Sequence, residues 1–550
     1  MTKWLRRAGS QVGSLAQDWR TWIPMVPFVL LAVGAVIQLF TVFAYRLTYP
    51  LDLEWMEGGV LVHAHRLLAG QGIYVAPTVD FVPFLYTPLH PALLAIVGWL
   101  FGLGYLTGRL VSILSFAGAL FVAAMIVIRT SRVWRSSRLH AWTVALLTTA
   151  VVAVAYPVCG SWFDLVRNDS LWLLLTVTGL AVLSPVGDLS YRRTLVGALV
   201  MSAAFFTKQT AAPFVVAAVG ALALVGRWRQ ALLFAAATVG LDVALVLIGQ
   251  WSSDGWMWVY IYRLHQSHRF IHERLWPGTP ERIILFAFPV WSLLAVWMVV
   301  VVVNGVGSRL SFFWVTMALC GLATSAVGSA TQGAYDNALI PGLYFSAVAA
   351  GVVAVELPSS VRSPPQRWSL RSLWDRFVLR RSSSRGLGID SHVIALAAVM
   401  LLSSHILIRW VDTSPLVPST DMVQDARRLV ARLHRLGPRT FVPYHPFYNV
   451  LAGGQGHMHI MGVNDASVWA HGITGDPERD QRIKAAFRRS IVDAFASHRW
   501  AAVIHDRTYT YQLPGLVRYY RQTQDLSRLG QAPGVLTGNR CTPRYLWVPR

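Results

Sequence analysis

Charged residues are scarce in this 550-residue chain, at 13% of the sequence, which is about half of their usual share in soluble domains. Cysteine is scarcer still, and Cys159, Cys320 and Cys541 are odd in number and far apart. They predict neither a disulfide framework nor a thiolate metal site. The sequence also contains no G-x-G-x-x-G and no Walker lysine motif. These absences argue against a soluble, disulfide-stapled or nucleotide-binding protein.

Apolar residues make up most of the remaining sequence, since 55% of the chain is hydrophobic. The formal net charge of +22 comes from 48 Lys and Arg against 26 Asp and Glu. Such an excess is compatible with nucleic-acid binding. However, the arginines cluster beside apolar runs, as the positive-inside rule requires of cytoplasmic loops. We therefore expect this chain to contact membrane lipids and not to bind nucleic acid.

Apolar runs long enough to cross about 30 Å of hydrocarbon recur along the chain. They predict an α-helical polytopic membrane protein with about eleven transmembrane helices. The basic N-terminus is followed by a run too long for a signal-peptide core, which predicts a cytoplasmic start and an uncleaved first span. The predicted spans are 23–44, 110–128, 141–158, 170–186, 195–206, 210–225, 231–250, 283–304, 310–328, 338–355 and 392–408.

The basic loops set the direction of these spans. With eleven spans they all fall on one side, which predicts a cytoplasmic N-terminus and an extracytoplasmic C-terminal region. These loops are 3–20, 129–138, 192–193, 227–229, 309 and 362–385.

Two segments decide whether this arrangement holds. One long helix over 195–225 would put its flanking arginines on opposite sides, so we predict two short spans that meet at Lys208. Residues 85–104 are apolar but contain Pro88 and Pro91, and we place them at the interface within a first outer loop of about residues 45–108.

Polar residues collect at the predicted outer ends of different spans, whereas the inner loops hold mainly arginine. Charged groups near a membrane usually face a cavity or a partner. Carboxylates there can take a proton from a sugar hydroxyl, and Lys or Arg can hold a phosphate. An interfacial apolar helix can guide a lipid tail. These features together fit glycosyl transfer from a lipid-phosphate sugar on the outer side of the membrane.

Several motifs resemble those of a known superfamily. DLEWMEGG (52–59), HRLLAGQGIY (65–74) and FLYTPL (84–89) are similar to the first outer loop of GT-C glycosyltransferases. DLVRNDSL (164–171) is similar to a second acidic site, and FTKQT and YDNALIP are similar to motifs at outer turns. The resemblance is strongest to bacterial members of glycosyltransferase family 39, such as protein O-mannosyltransferases and lipid A aminoarabinose transferases. It covers residues 20–355.

This resemblance implies a GT-C fold in the bacterial cytoplasmic membrane. It implies an inverting, single-displacement transfer from a polyprenyl-phosphate sugar to a hydroxyl of a glycan, lipid or protein acceptor. Glu57, Glu54 and Asp52 are candidates for the general base, and their ranking stays open. Asp52 and Glu54 also resemble paired acids that bind a divalent metal, so a Mg or Mn cofactor stays open too. Asp169 would hold the acceptor or orient the base.

The remaining site residues also follow from the resemblance. Lys208 and Arg167 would contact the donor phosphate, with Arg269 or Arg263 as a weaker alternative. FLYTPL and the outer-turn motifs add candidate substrate-binding residues, which are Tyr86, Gln209, Tyr335, Asp336 and Asn337.

The chain divides into a transmembrane catalytic domain, residues 1–410, and an extracytoplasmic domain, residues 411–550. In the second part DMVQDARRLVARLHRLG and ERDQRIKAAFRRSIVDAFASH predict helices, while RTFVPY and WAAVIHD predict strands. We therefore expect a small α/β domain. The alternative function is a transporter or flippase for a lipid-linked or polar solute, although the internal repeats typical of transporters are missing from the sequence.

Overall fold

A computed structural model describes most of the chain, namely residues 23–134, 137–185, 187–304, 307–360 and 391–550. The predicted basic loops at 3–20 and 362–385 lie outside the described residues. The first three quarters of the chain are almost entirely helical. Their helices are α1 (Val26–Leu47), α2 (Glu57–Leu68), α3 (Leu89–Phe101), α4 (Tyr105–Trp134), α5 (Arg138–Val154), α6 (Asp169–Leu183), α7 (Tyr191–Thr207), α8 (Ala212–Leu224), α9 (Trp228–Ser252), α10 (Thr279–Phe286), α11 (Phe288–Asn304), α12 (Arg309–Ser329), α13 (Ile340–Ser360) and α14 (Ser391–Arg409).

A helix lies within each of the eleven predicted spans. Among the described residues, six helices are long and apolar enough to cross a bilayer, and the pair α10–α11, bent by 92°, adds a seventh. The other helices in predicted spans are shorter. The chain is therefore a multi-pass membrane protein, while the number of crossings stays a prediction.

Helix α3 occupies the ambiguous apolar segment of the first outer loop. It has 13 residues, too few for the roughly 20 that a span needs. Trp99 and Phe101 are exposed, whereas His90 and Leu94 are buried. The helix thus exposes apolar side chains on one face, and its interfacial position stays a prediction.

The predicted break at Lys208 is confirmed. Helix α7 ends at Thr207, and Lys208 is extended (φ −159°, ψ 129°). A 3₁₀ turn over Gln209–Ala211 follows, and α8 begins with Pro213 in its first turn. Proline fits there because the first N–H groups of a helix have no intrahelical acceptor. The break places the Lys208 side chain at a helix junction.

Helix α13 is the centre of the bundle. Almost all of its apolar stretch is buried, and it packs against α4, α5, α11, α12 and α14. Its contact with α12 is close because a Cβ atom on Gly321 would lie 2.6 Å from the carbonyl oxygen of Pro341. Small residues allow such close backbone approach in membrane helices.

The C-terminal region combines helices with a small sheet. Its long helices are α15 (Thr420–Leu436) and α16 (Pro477–Ala496), and its strands are β1 (Thr440–Phe441), β2 (Ala502–His505), β3 (Tyr520–Asp525) and β4 (Tyr545–Pro549). The strand order is β1-β2-β4-β3, in which β1 and β2 are parallel and the other pairs antiparallel. The predicted α/β character and the first two strands are confirmed.

Strands β3 and β4 were not predicted from the sequence. Most of β3 is exposed and polar because it is an edge strand, so it shows no apolar alternation. Amphipathic α15 was easier to predict, since Ala426, Leu429 and Leu433 recur at helical spacing and are fully buried.

Candidate active site

A cavity of about 1040 Å³ lies where the ends of several helices meet the C-terminal region. Its walls come from the first outer loop, the start of α6, the α7–α8 break, the turn between α12 and α13, and two C-terminal segments. Most of the wall is apolar or aromatic. The polar and charged residues that line it include Glu54, Tyr86, Arg167, Asp169, Lys208, Gln209, His265, His268, Tyr335, Asn337, Asn464, Asp465, Asn539 and Arg540.

Glu54 is the acid of the first outer loop that reaches this cavity. Its side chain is fully buried in the protein, and its Oε2 lies 3.2 Å from Nη1 of Arg167. Its Oε1 has no hydrogen-bond partner among the described residues. Burial raises the pKa of Glu54 to about 8, and the charge of Arg167 opposes that shift. The cavity wall therefore contains a buried carboxyl group whose Oε1 accepts no hydrogen bond from the described residues and whose pKa is raised to about 8.

Arg167 is held rigidly beside Glu54. Its Nη2 donates a 2.9 Å hydrogen bond to the hydroxyl of Tyr86. Its guanidinium carbon lies 5.3 Å from the ring centre of Trp162 and 5.5 Å from that of Tyr86. Contact with two aromatic rings suits a guanidinium group. Its Nε is buried and has no partner among the described residues.

Asp169 is the centre of a second polar group. Its Oδ1 accepts hydrogen bonds from Nζ of Lys208 at 2.6 Å and from Nδ2 of Asn337 at 3.1 Å. Its Oδ2 accepts one from Nε1 of Trp162 at 3.0 Å. These partners come from three different helix ends, so the second acidic motif and both outer-turn motifs meet at one point.

Glu57, by contrast, does not line the cavity. Its Oε2 lies 2.8 Å from Nη2 of Arg109 and accepts the N–H of Leu53 at 2.7 Å, while its Oε1 accepts the N–H of Val166 at 2.9 Å. Burial acts to raise the pKa of Glu57, but Arg109 and these N–H groups outweigh it and hold the pKa below its usual value. These contacts indicate that Glu57 stabilises the conformation of the first outer loop.

Asp52 also lies away from the cavity wall. Its Oδ1 accepts the N–H of Gly58 at 2.8 Å, and its Oδ2 lies 2.6 Å from Nδ1 of His445. Nε2 of the same histidine lies 2.9 Å from Oδ2 of Asp506. Burial alone would lower the pKa of His445, but the two carboxylates raise it to about 10. A buried imidazolium thus ties the first outer loop to the C-terminal region.

The paired acids Asp52 and Glu54 do not fit a shared metal site. Both oxygens of Asp52 are occupied, and Glu54 pairs with Arg167. No three His, Cys, Asp or Glu side chains in the described part of the chain converge in a way that could hold a metal ion. We therefore derive no step through Mg or Mn.

The candidate substrate-binding residues divide into two groups. Tyr86, Gln209, Tyr335 and Asn337 line the cavity, and Gln209 is fixed by a 2.8 Å hydrogen bond from its Nε2 to the carbonyl of Leu85.

Asp336 and Arg269 do not line the cavity. Asp336 lies 2.7 Å from Nη1 of Arg282 in a partly exposed ion pair, and Arg269 is exposed. Arg263, the other weaker candidate for the donor phosphate, is exposed and lies outside the wall as well.

Several lining residues were missed by sequence reasoning. Nε2 of His268 lies 3.1 Å from Oδ1 of Asp465, and both side chains are almost fully buried. Arg540, near the C-terminal end of the sequence, also lines the cavity. No local motif marks these residues, because their partners are distant in sequence.

Comparisons with known proteins identify solved structures with a similar fold. No protein-family model and no curated protein matches the sequence. The chain is similar to ArnT from Cupriavidus metallidurans bound to undecaprenyl phosphate, with a TM-score of 0.53 and 15% identity over 94% of this chain and 97% of that one. Apo ArnT gives a TM-score of 0.54 and 14% identity over 95% and 98%.

A weaker likeness, on which nothing below rests, is to the oligosaccharyltransferase AglB from Archaeoglobus fulgidus in complex with an inhibitory peptide and a dolichol-phosphate. Its TM-score is 0.42, with 11% identity over 88% of this chain and 69% of that one. ArnT is a GT-C superfamily member. The predicted resemblance is therefore confirmed at the level of architecture: this chain has the GT-C fold over nearly its whole length.

Proposed function

We propose that the protein transfers a sugar from a polyprenyl-phosphate donor to an acceptor hydroxyl, with inversion at the sugar carbon. The observation that carries this proposal is that Glu54, whose buried Oε1 has no hydrogen-bond partner among the described residues, lies in the wall of a cavity that Arg167 and Lys208 also line. A base and cations in one enclosed site are what such a transfer requires. The cavity volume of about 1040 Å³ is at the upper end for ligand pockets, so two substrates can meet there.

Glu54 is our candidate for the general base. Its Oε1 takes the proton of the acceptor hydroxyl while the acceptor oxygen attacks the anomeric carbon from the side opposite the phosphate. The bond from that carbon to the phosphate oxygen breaks in the same step, and the polyprenyl phosphate leaves with the bonding electrons. A base with a pKa near the working pH is efficient in such a transfer, and the pKa of Glu54 is about 8.

Arg167 and Lys208 are our candidates for binding the donor phosphate. Both cations lie in the cavity wall, and each is oriented by an acid, Glu54 or Asp169. Charge-assisted hydrogen bonds from such groups stabilise a phosphate whose negative charge grows as it leaves. Asp169 acts here as a positioning residue, because its oxygens are shared among Lys208, Asn337 and Trp162.

The proposed setting is the bacterial cytoplasmic membrane, with the N-terminus inside and the cavity on the outer face. The basic loops support this direction. The break after α7 and the start of α6 supply Lys208 and Asp169 to the same cavity, as expected if these helix ends share one side. A glycan, a lipid or a protein hydroxyl would serve as acceptor.

The test incubates the purified full-length protein with polyprenyl-phosphate sugars and cell-envelope acceptors, and measures release of polyprenyl phosphate. Release by wild type and its loss in Glu54→Gln supports the proposal. Glu478→Gln serves as the matched control, since Glu478 is exposed on α16. Movement of a labelled lipid across a vesicle membrane without bond cleavage would instead establish the transporter alternative.

A further inference from the structure

Residues 536–540 of the C-terminal region pass directly over the first outer loop. The N–H groups of Leu536 and Thr537 donate hydrogen bonds of 2.9 and 3.2 Å to the carbonyl oxygen of Leu53. Oγ1 of Thr537 donates one of 2.5 Å to the carbonyl of Gly160. We call residues 536–540 the closing segment. Its first half is thereby fixed to the first acidic motif and to the loop that precedes the second one.

Glycine at position 538 allows the closing segment to lie against Glu54. The backbone there has φ +77°, a conformation that favours glycine. A Cβ atom would lie 2.8 Å from Oε1 of Glu54, closer than real Cβ contacts. The segment therefore contacts the side chain that carries our proposed base.

The second half of the closing segment is held by Arg507. Nη2 of this residue donates hydrogen bonds to Oδ1 of Asn539 at 3.2 Å and to the carbonyl of Arg540 at 2.9 Å. Because the backbone is fixed on both sides of Gly538, the side chain of Arg540 starts from a defined point on the cavity wall. Such preorganisation reduces the entropy lost on binding a ligand.

The guanidinium of Arg540 differs from the other strong cations of the cavity. Arg167 pairs with Glu54, and Lys208 pairs with Asp169. Arg540 also lines the cavity, yet no described carboxylate lies within ion-pair distance of it, and no described acceptor takes a hydrogen bond from its side chain. It therefore contributes a positive charge that no described protein group neutralises.

We infer that Arg540 binds the phosphate of the lipid donor and that the closing segment delivers it to the site. This inference rests on the proposed function and names one further donor contact. An incoming phosphate must compete with Glu54 and Asp169 for Arg167 and Lys208, but it meets no such competitor at Arg540. A planar guanidinium matches two phosphate oxygens. The C-terminal region is thus part of the donor site.

The experiment measures binding of undecaprenyl phosphate and of undecaprenol, which lacks the phosphate, to the purified full chain. Loss of one charge-assisted contact predicts about tenfold to hundredfold weaker binding of undecaprenyl phosphate by Arg540→Ala. Arg540→Lys should lose less, since it keeps the charge. Arg521→Ala is the matched control, because Arg521 is exposed on β3 outside the cavity. Undecaprenol binding should be equal in all four proteins.

Two binding results would overturn the inference, and a kinetic measurement on the acceptor extends the first of them. Equal affinity of wild type and Arg540→Ala for undecaprenyl phosphate would show that Arg540 does not bind the phosphate. Unchanged lipid affinity with a raised KM for an anionic acceptor would assign Arg540 to the acceptor. Wild type that binds neither lipid would defeat the proposed function itself. An unchanged unfolding midpoint for Arg540→Ala or Arg540→Lys ensures that a binding loss is not a folding defect.

Discussion

Two glutamates of the first acidic motif, Glu57 and Glu54, differ in how many hydrogen bonds their carboxylates accept. Glu57 is fully buried and both of its oxygens are occupied by Arg109 and backbone N–H groups. Glu54, three residues earlier, is equally buried and lies in the cavity wall, but its Oε1 has no hydrogen-bond partner among the described residues. Burial and charge alone therefore do not distinguish the carboxylate that we propose as the base from a structural one. What distinguishes the two carboxylates is the number of hydrogen-bond donors that contact each of them.

A similar contrast holds in the second acidic motif. Asp164 pairs with Nε of Arg46 at 2.7 Å and accepts a hydrogen bond from the Tyr156 hydroxyl at 2.7 Å, away from the cavity. Asp169 lines the cavity and orients Lys208. Each motif thus contributes an acid that fastens the fold and an acid that faces the site.

The largest expected effect comes from Glu54→Gln. Removing a general base should lower turnover by about 10²- to 10⁴-fold. The unfolding midpoint should also fall because Arg167 loses its ion pair, but by less than in Glu57→Gln, since Arg167 keeps its hydrogen bond to Tyr86 and Glu57 accepts hydrogen bonds from Arg109 and from two backbone N–H groups. Glu57→Gln should do the reverse and mainly lower the unfolding midpoint. The measurements are initial rates and thermal unfolding in detergent. Interchanged outcomes for the two variants would break the comparison.

Arg109→Met tests the structural side. It leaves the buried carboxylate of Glu57 without its ion pair, and breaking such a pair costs about 3–5 kcal/mol of unfolding free energy. The double variant Arg109→Met/Glu57→Gln should regain part of that loss, since no unpaired charge remains. Arg138→Met is the control, because Arg138 is exposed. A loss no larger than that of the control would show that the pair does not stabilise the loop.

The pH dependence of the rate sharpens the assignment of Glu54. A general base works when deprotonated, and the pKa of Glu54 is about 8. The value of kcat/KM should therefore rise with pH by about tenfold per unit below that pKa and level off above it. The residual rate of Glu54→Gln should lack this rise. A wild-type profile that is flat or falls as the pH approaches 8 would contradict the assignment.

The smallest expected effect concerns His445 and stability at alkaline pH. Its pKa is raised to about 10 from an ordinary value of about 6.5. Its contribution is therefore complete below the ordinary value and is lost as the pH rises through about 10. The unfolding midpoint of wild type should fall over that range, and more steeply than that of His445→Gln. His471→Gln, at an exposed histidine, should follow wild type. Parallel curves for all three proteins would refute this role.

The fold was largely predictable because helices that cross a bilayer require long runs of apolar residues, which are visible in the sequence. The break at Lys208 was predictable because the arginines on either side had to share a face. The site was predictable in part: conspicuous motifs contain Glu54, Arg167, Asp169 and Lys208. Which acid would be free was not predictable, since Arg109 and His445 come from other parts of the chain. Sequence spacing alone does not determine such long-range partners.

The hydrogen bonds between the closing segment and Leu53 join residues made at very different times. A chain is synthesised from its N-terminus, so the first outer loop is complete long before Leu536 and Thr537 emerge. Until then Glu54 has no cover on that side. The protein should therefore insert into the membrane with an open site and gain its full wall only after most of the chain has been translated. A nascent chain held before residue 536 would be inserted in the membrane but would lack this part of the cavity wall.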